Sequence, residues 1–121
     1  MKISENELEI MRLLWEKSPQ TATELQDSIR EKVRWETTTI RTMLQRLVEK
    51  GAVRQAGRKR SYTYTPLVSA DEYRSISLRR LIENVFNSNP MEMFCFFARQ
   101  EKLSDAEIAE LENILKKGGN K

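Results

Sequence analysis

Residues Trp35 to Gly51 read WETTTIRTMLQRLVEKG, and the fold turns on this stretch. On a helical wheel of 3.6 residues per turn, Ile40, Met43, Leu44, Leu47 and Val48 gather on one side. Thr38, Thr42, Gln45 and Glu49 fall opposite, with Arg41 and Arg46 on the flanks. The apolar stripe is a core face, and Gly51 ends the helix. Its opening is unusual, because Thr37, Thr38, Thr39 and Thr42 occupy four of the first six positions and threonine forms helices only moderately well. Short side chains let a helix come close to a DNA major groove. There a threonine hydroxyl can bond a base edge or a phosphate, and its methyl can pack on a thymine methyl. Gln45 suits adenine, and the free amides of a helix start favour phosphates. The plainer reading, capping threonines and solvated arginines, does not explain where the charge lies.

Residues 41–60 hold Arg41, Arg46, Lys50, Arg54, Arg58, Lys59 and Arg60 against the single acid Glu49, a net charge of +6. The whole chain carries +3, so the remainder is at −3. Such concentration is an electrostatic footprint for nucleic acid. After Gly51 the period changes from a helical one to about two: AVRQ and SYTYTPL read as strands, and AGRKR between them as an exposed basic tip. Arg58, Lys59 and Arg60 there can follow a phosphate backbone or enter a minor groove. Pro66 closes the hairpin.

Working outward, four pairs of Ser or Thr with Glu three residues later mark helix starts: Ser4–Glu7, Thr21–Glu24, Ser69–Glu72 and Ser104–Glu107. In each, hydroxyl and carboxylate satisfy amides that a first turn leaves unpaired. The predicted helices cover roughly residues 5–17, 22–32, 37–51 and 69–87, a short one opened by Pro90, and a last one after Ser104. Trp35 is placed to pack on Ile40 at the entry to the third. The terminal GGNK is expected to fray. The fold class is mainly α with a small β-hairpin: a winged helix-turn-helix over 1–68 and a helical region over 69–121.

Composition narrows the function. The chain has 121 residues, 39% hydrophobic and 32% charged, with no histidine and one cysteine, Cys95. Without histidine, the commonest catalytic base and metal ligand is absent, so neither an enzyme nor a metal site is expected, and no cofactor is implied. No apolar run approaches the roughly 18 residues a membrane span needs, so a cytoplasmic protein without membrane insertion is expected.

Several segments together resemble the penicillinase-repressor family, the BlaI/MecI/CopY group. They are LEIMRLLWEKSPQTATEL, TTTIRTMLQRLVEKGAVRQ, YTYTPLVSADEY and LSDAEIAELENIL. The resemblance implies a homodimeric bacterial repressor, its winged helix on double-stranded operator DNA and its C-terminal helices forming the dimer. It also implies control of a β-lactamase or related antibiotic-resistance gene. The DNA-binding set is then Thr37, Thr38, Thr39, Arg41, Thr42, Gln45, Arg46, Arg58, Lys59 and Arg60. The dimerisation set is Tyr73, Leu81, Val85, Met91, Phe94, Phe97, Ile108, Leu111 and Leu115. The copper-responsive branch carries a cysteine-rich C-terminal metal site, which Cys95 alone does not supply. In the β-lactam-responsive branch a membrane-bound sensor protease ends repression by a cut between asparagine and phenylalanine. The matching pair here is Phe96–Phe97, without the asparagine. MEMFCFF, residues 91–97, reads either as ordinary core or as a surface covered by a second copy. A winged helix used for protein or RNA contacts, or a repressor of an unrelated stress or metal-response gene, stays open as an alternative.

Overall fold

The helix starts are built as the local pairs require. In the computed structural model, which describes residues 1–118, the Ser4 and Thr21 hydroxyls accept from the amides of Glu7 and Glu24. The glutamate carboxylates accept in return from the cap amides. Ser69–Glu72 and Ser104–Glu107 form the same reciprocal bonds. These open α1 (Glu5–Glu16), α2 (Ala22–Ile29), α4 (Ala70–Val85) and α6 (Asp105–Gly118). Before α5 (Pro90–Gln100), Asn89 accepts from the amides of Met91 and Glu92, with Pro90 in the first turn. Helix α2 stops at Ile29, short of residue 32, because the amides of Lys32 and Val33 both bond the Ile29 carbonyl and turn the chain toward the next helix. The fraying expected at the C-terminus concerns residues 119–121, which lie outside the described residues.

Helix α3 (Thr37–Glu49) ends in a two-bond cap: the Gly51 amide donates to the Val48 carbonyl and the Ala52 amide to that of Leu47. This closure needs a left-handed residue, and Gly51 has φ +79°. The hairpin follows. Strands β1 (Val53–Ala56) and β2 (Thr63–Pro66) are antiparallel, with Val53 opposite Pro66 and Gln55 opposite Tyr64. Gln20, in the link between α1 and α2, adds a one-residue bridge to Tyr64 on the free side of β2.

Two compact units divide within α4, at Met1–Ser77 and Leu78–Lys121. The first has a core of Ile10, Met11 and Leu14 from α1, Leu25 and Ile29 from α2, Ile40, Leu44 and Leu47 from α3, and Ala52, Val53 and Tyr64 from the hairpin region. The first turn of α4 packs on it: Trp15 Nε1 donates to the Val68 carbonyl at 2.9 Å and its ring lies 5.9 Å from that of Tyr73. Glu7, 2% exposed, reaches from α1 to an ion pair with Lys50, the residue that caps α3.

In the second unit none of the described residues is buried. Ile82, Phe86, Met93, Leu103 and Leu111 are half-buried, and the rings of Phe86 and Phe96 lie 5.8 Å apart. No described helix is long and apolar enough to cross a membrane.

Candidate nucleic-acid interface

The outward face of α3 is the one the wheel marks. Thr38, Thr39, Arg41, Thr42, Gln45 and Arg46 are exposed, while Ile40, Met43, Leu44 and Leu47 are buried. Thr37 is half-buried, and its hydroxyl donates to Gln26 Oε1 at 2.6 Å. Gln26 Nε2 donates in turn to the Trp35 carbonyl at 3.1 Å. Gln26 thus clips the turn between α2 and α3 and fixes the angle at which α3 is presented, which gives Thr37 a positioning role. Thr42 donates to the Thr38 carbonyl at 2.9 Å and keeps its acceptor lone pairs and methyl outward. Gln45 lies 3.5 Å from Glu49 Oε1, a bond at the edge of hydrogen-bonding range and easily exchanged. Glu36 before α3 makes no side-chain cap bond, so the first-turn amides remain available to an anion.

The basic stretch divides in two. Lys50 is exposed, but its charge is taken up by the ion pair with Glu7. Burial pushes the Glu7 carboxyl up, but the hydrogen bonds from Lys50 and the Ser4 amide and the Lys50 charge outweigh this and hold it below the usual carboxylate value. Arg41, Arg46, Arg54, Arg58, Lys59 and Arg60 are exposed and form no ion pair among the described residues. The tip that carries three of them is turned by Gly57 at φ +94° and Arg60 at φ +83°.

Between the start of α2, the flank of α3 and the hairpin runs a cleft lined by Thr21, Thr23, Arg41, Gln45, Gln55, Lys59, Arg60, Tyr62 and Tyr64. It brings Arg41 and Gln45 of the helix together with Lys59 and Arg60 of the wing. Thr23, Gln55, Tyr62 and Tyr64 escape the sequence reading; the one signal is the two-residue spacing of Tyr62, just before β2, and Tyr64 within it. Burial pushes the Tyr64 phenol above its ordinary pKa, partly offset by the nearby Arg41 charge, so the phenol stays protonated at neutral pH.

Of the apolar C-terminal residues, Leu81, Val85, Met91, Phe94, Phe97, Ile108 and Leu115 are exposed and Leu111 is half-buried. Tyr73 instead packs on Trp15 in the first unit. Phe96 and Phe97, in the interior of α5, are each 51% exposed, and Cys95 is exposed beside them. Among the described residues no cluster of three His, Cys, Asp or Glu is placed to hold a metal ion.

Comparison with known proteins agrees with this geometry. A family model described as penicillinase repressor matches residues 3–117. The penicillinase repressor of Bacillus licheniformis is 31% identical over 120 residues, covering 99% of this chain and 94% of that relative. The methicillin resistance regulatory protein MecI of Staphylococcus aureus strain N315 is 30% identical over 116 residues, 96% of this chain and 94% of its own. Among solved structures, the monomeric form of Bacillus licheniformis BlaI in complex with the blaP half-operator superposes with a TM-score of 0.51. It is 34% identical and covers 60% of this chain and 89% of its own.

Proposed function

Because the chain belongs to the penicillinase repressor family, whose members are DNA-binding transcriptional regulators and not enzymes, we propose that it is a cytoplasmic, homodimeric repressor of a β-lactamase or related resistance gene. Residues 1–68 form its DNA-binding domain and 69–121 its dimerisation domain. One observation carries the reading. The exposed threonine and glutamine face of α3, with its uncapped start, is flanked by six exposed cations without ion pairs among the described residues. A solvated surface has no use for that arrangement, whereas a duplex offers base edges to the face and phosphates to the flanks. In this reading Thr38, Thr42 and Gln45 read bases, and Arg58 and Arg60 follow the backbone.

The apolar residues left uncovered on α4, α5 and α6 support a dimer through this region, and a two-fold dimer calls for an operator with inverted half-sites. Separating the C-terminal helices would then end repression, since tight binding depends on two linked half-site contacts. The Phe96–Phe97 bond is the candidate cut for a membrane-bound sensor protease, at a position where the family pattern places asparagine.

Duplex binding measured against salt tests the assignment. Alanine at Thr38, Thr42 or Gln45 is expected to change base preference, by about 1–3 kcal/mol for a direct base contact. Alanine at Arg58 or Arg60 is expected to weaken binding to all sequences alike and to flatten the salt dependence by about one unit of slope. Wing variants that alter preference while helix variants do not would reverse the two roles. A wild-type protein with weak duplex binding and a shallow salt dependence would overturn the reading.

A further inference from the structure

The cleft between α3 and the wing contains a hydrogen-bond donor that the fold itself does not use. Tyr64 is 6% exposed, and its main chain is fastened on the Gln20 side: the Tyr64 amide donates to the Gln20 carbonyl at 2.9 Å, and the Tyr64 carbonyl accepts from the Gln20 amide at 3.2 Å. Its hydroxyl makes no hydrogen bond with any described residue. Yet no buried side-chain nitrogen or oxygen among the described residues lacks a partner, so the hydroxyl must reach open space, and the cleft is the open space that Tyr64 lines. Phenylalanine would fill the same core position without a polar atom. A buried tyrosine whose one polar atom is held at a cleft wall is instead a preorganised donor.

We propose that this cleft seats one phosphodiester group of duplex DNA, with the Tyr64 hydroxyl donating to a non-bridging oxygen and Arg41, Lys59 and Arg60 supplying the counter-charge. The inference rests on the DNA-binding reading above and adds to it the place where the backbone is gripped. A phosphate fits better than a base edge because the lining holds three cations and no carboxylate, a balance that favours an anion over a neutral base. Arg41 and Gln45 both line the cleft and both lie on α3, so the seated phosphate is adjacent to the base-reading face. The grip fixes register along the groove. Lysine and arginine side chains on a turn have many rotamers, whereas the tyrosine ring is held by the core, so its bond forms with little ordering cost.

The test is Tyr64→Phe in the full chain, which removes only the hydroxyl. Its melting temperature is expected to match the wild type. Its affinity for duplex DNA is expected to fall about tenfold per half-site, the order of one hydrogen bond to a charged group, for specific and unrelated sequences alike. The salt slope is unchanged because no cation is lost, which separates this variant from Arg60→Ala. A series of operator duplexes, each with a neutral methylphosphonate at the same linkage of both half-sites, then locates the seat: at one position the penalty of Tyr64→Phe disappears, because the oxygen it served no longer carries charge. A penalty that persists at every linkage overturns the inference. So does wild-type affinity in Tyr64→Phe while Arg60→Ala still weakens binding, a result that leaves the DNA-binding reading standing. Suppose inorganic phosphate at constant ionic strength raised the melting temperature of the wild type but not of Tyr64→Phe, with equal duplex affinities. The cleft would then belong to a free anion, and the phosphodiester assignment would fall. Absence of duplex binding by the wild type would remove both the reading and the inference.

Discussion

Leu44 in α3 and Phe97 in α5 are both apolar residues at helical spacing, yet Leu44 is wholly buried and Phe97 is 51% exposed. Capping does not set the difference, since α5 is capped by the Asn89 side chain while α3 starts without a side-chain cap. What differs is cover. Around Leu44 lie α1, α2 and the hairpin, three elements that meet α3 from different sides. The second unit has the C-terminal part of α4 with α5 and α6, and none of its described residues is buried. Local sequence is therefore enough to build a helix, but burial depends on how many elements surround it. By this contrast the first unit covers its own core, whereas the second leaves its apolar residues uncovered.

The strongest way to break that contrast is to empty each side in turn. Leu44→Ala is expected to cost about 2–5 kcal/mol of unfolding free energy, independent of protein concentration, as read by denaturant titration of the winged-helix unit. Phe97→Ala is expected to act through association, weakening the dimer by about 2 kcal/mol and making the melting temperature more sensitive to dilution. Sedimentation of wild type and variant across concentrations checks this. A Phe97→Ala protein as firmly dimeric as the wild type would remove α5 from the interface.

A smaller effect sharpens the comparison within the first unit. Glu7→Gln removes the charge that joins the start of α1 to the end of α3, and is expected to cost about 1–2 kcal/mol. Water screening of Lys50, partly exposed, keeps the loss at the lower end for a buried pair. Glu7 is held below its ordinary value of 4.5 in the fold, so its charged form stabilises the protein. That contribution is present in full above the ordinary value and is lost as pH falls through the lower folded one. Melting curves of wild type and Glu7→Gln should accordingly lie furthest apart near neutral pH and converge on acidification. A constant gap would show that shape, and not charge, carries the contact.

Much of the fold could be read from the chain because the decisive signals are short-range. All four capping boxes join residues three apart, the α3 wheel repeats within a turn, and the two strands lie on either side of a short basic turn. The parts that escaped depend on distant partners. Glu7 and Lys50 are 43 residues apart, which is why Lys50 reads as surface charge until the fold brings them together. The bridge from Gln20 to Tyr64 involves one residue on each side, too short for any periodicity. Trp15 drawing Tyr73 into the first unit is of the same kind, since the spacing along α4 assigns Tyr73 to the C-terminal stripe. The outward face of α3 was visible because exposure on a helix follows from its core face. The cleft was not visible, because it is assembled from α2, α3 and both strands.

The cap at Gly51 also has a mechanical consequence. Ala52 donates to Leu47 in the last turn of α3, and its own carbonyl accepts from Leu67 just beyond β2 at 2.8 Å, so one residue is fastened to both the helix and the hairpin. In the proposed DNA complex, helix and wing would act as a caliper whose jaws have a set gap. A duplex with the wrong groove width cannot be met by flexing the protein, so the strain falls on the DNA. Its size then depends on how stiff the base steps between the jaws are. Sequence can thus be discriminated at base pairs that no side chain touches, through the bending energy of the steps themselves.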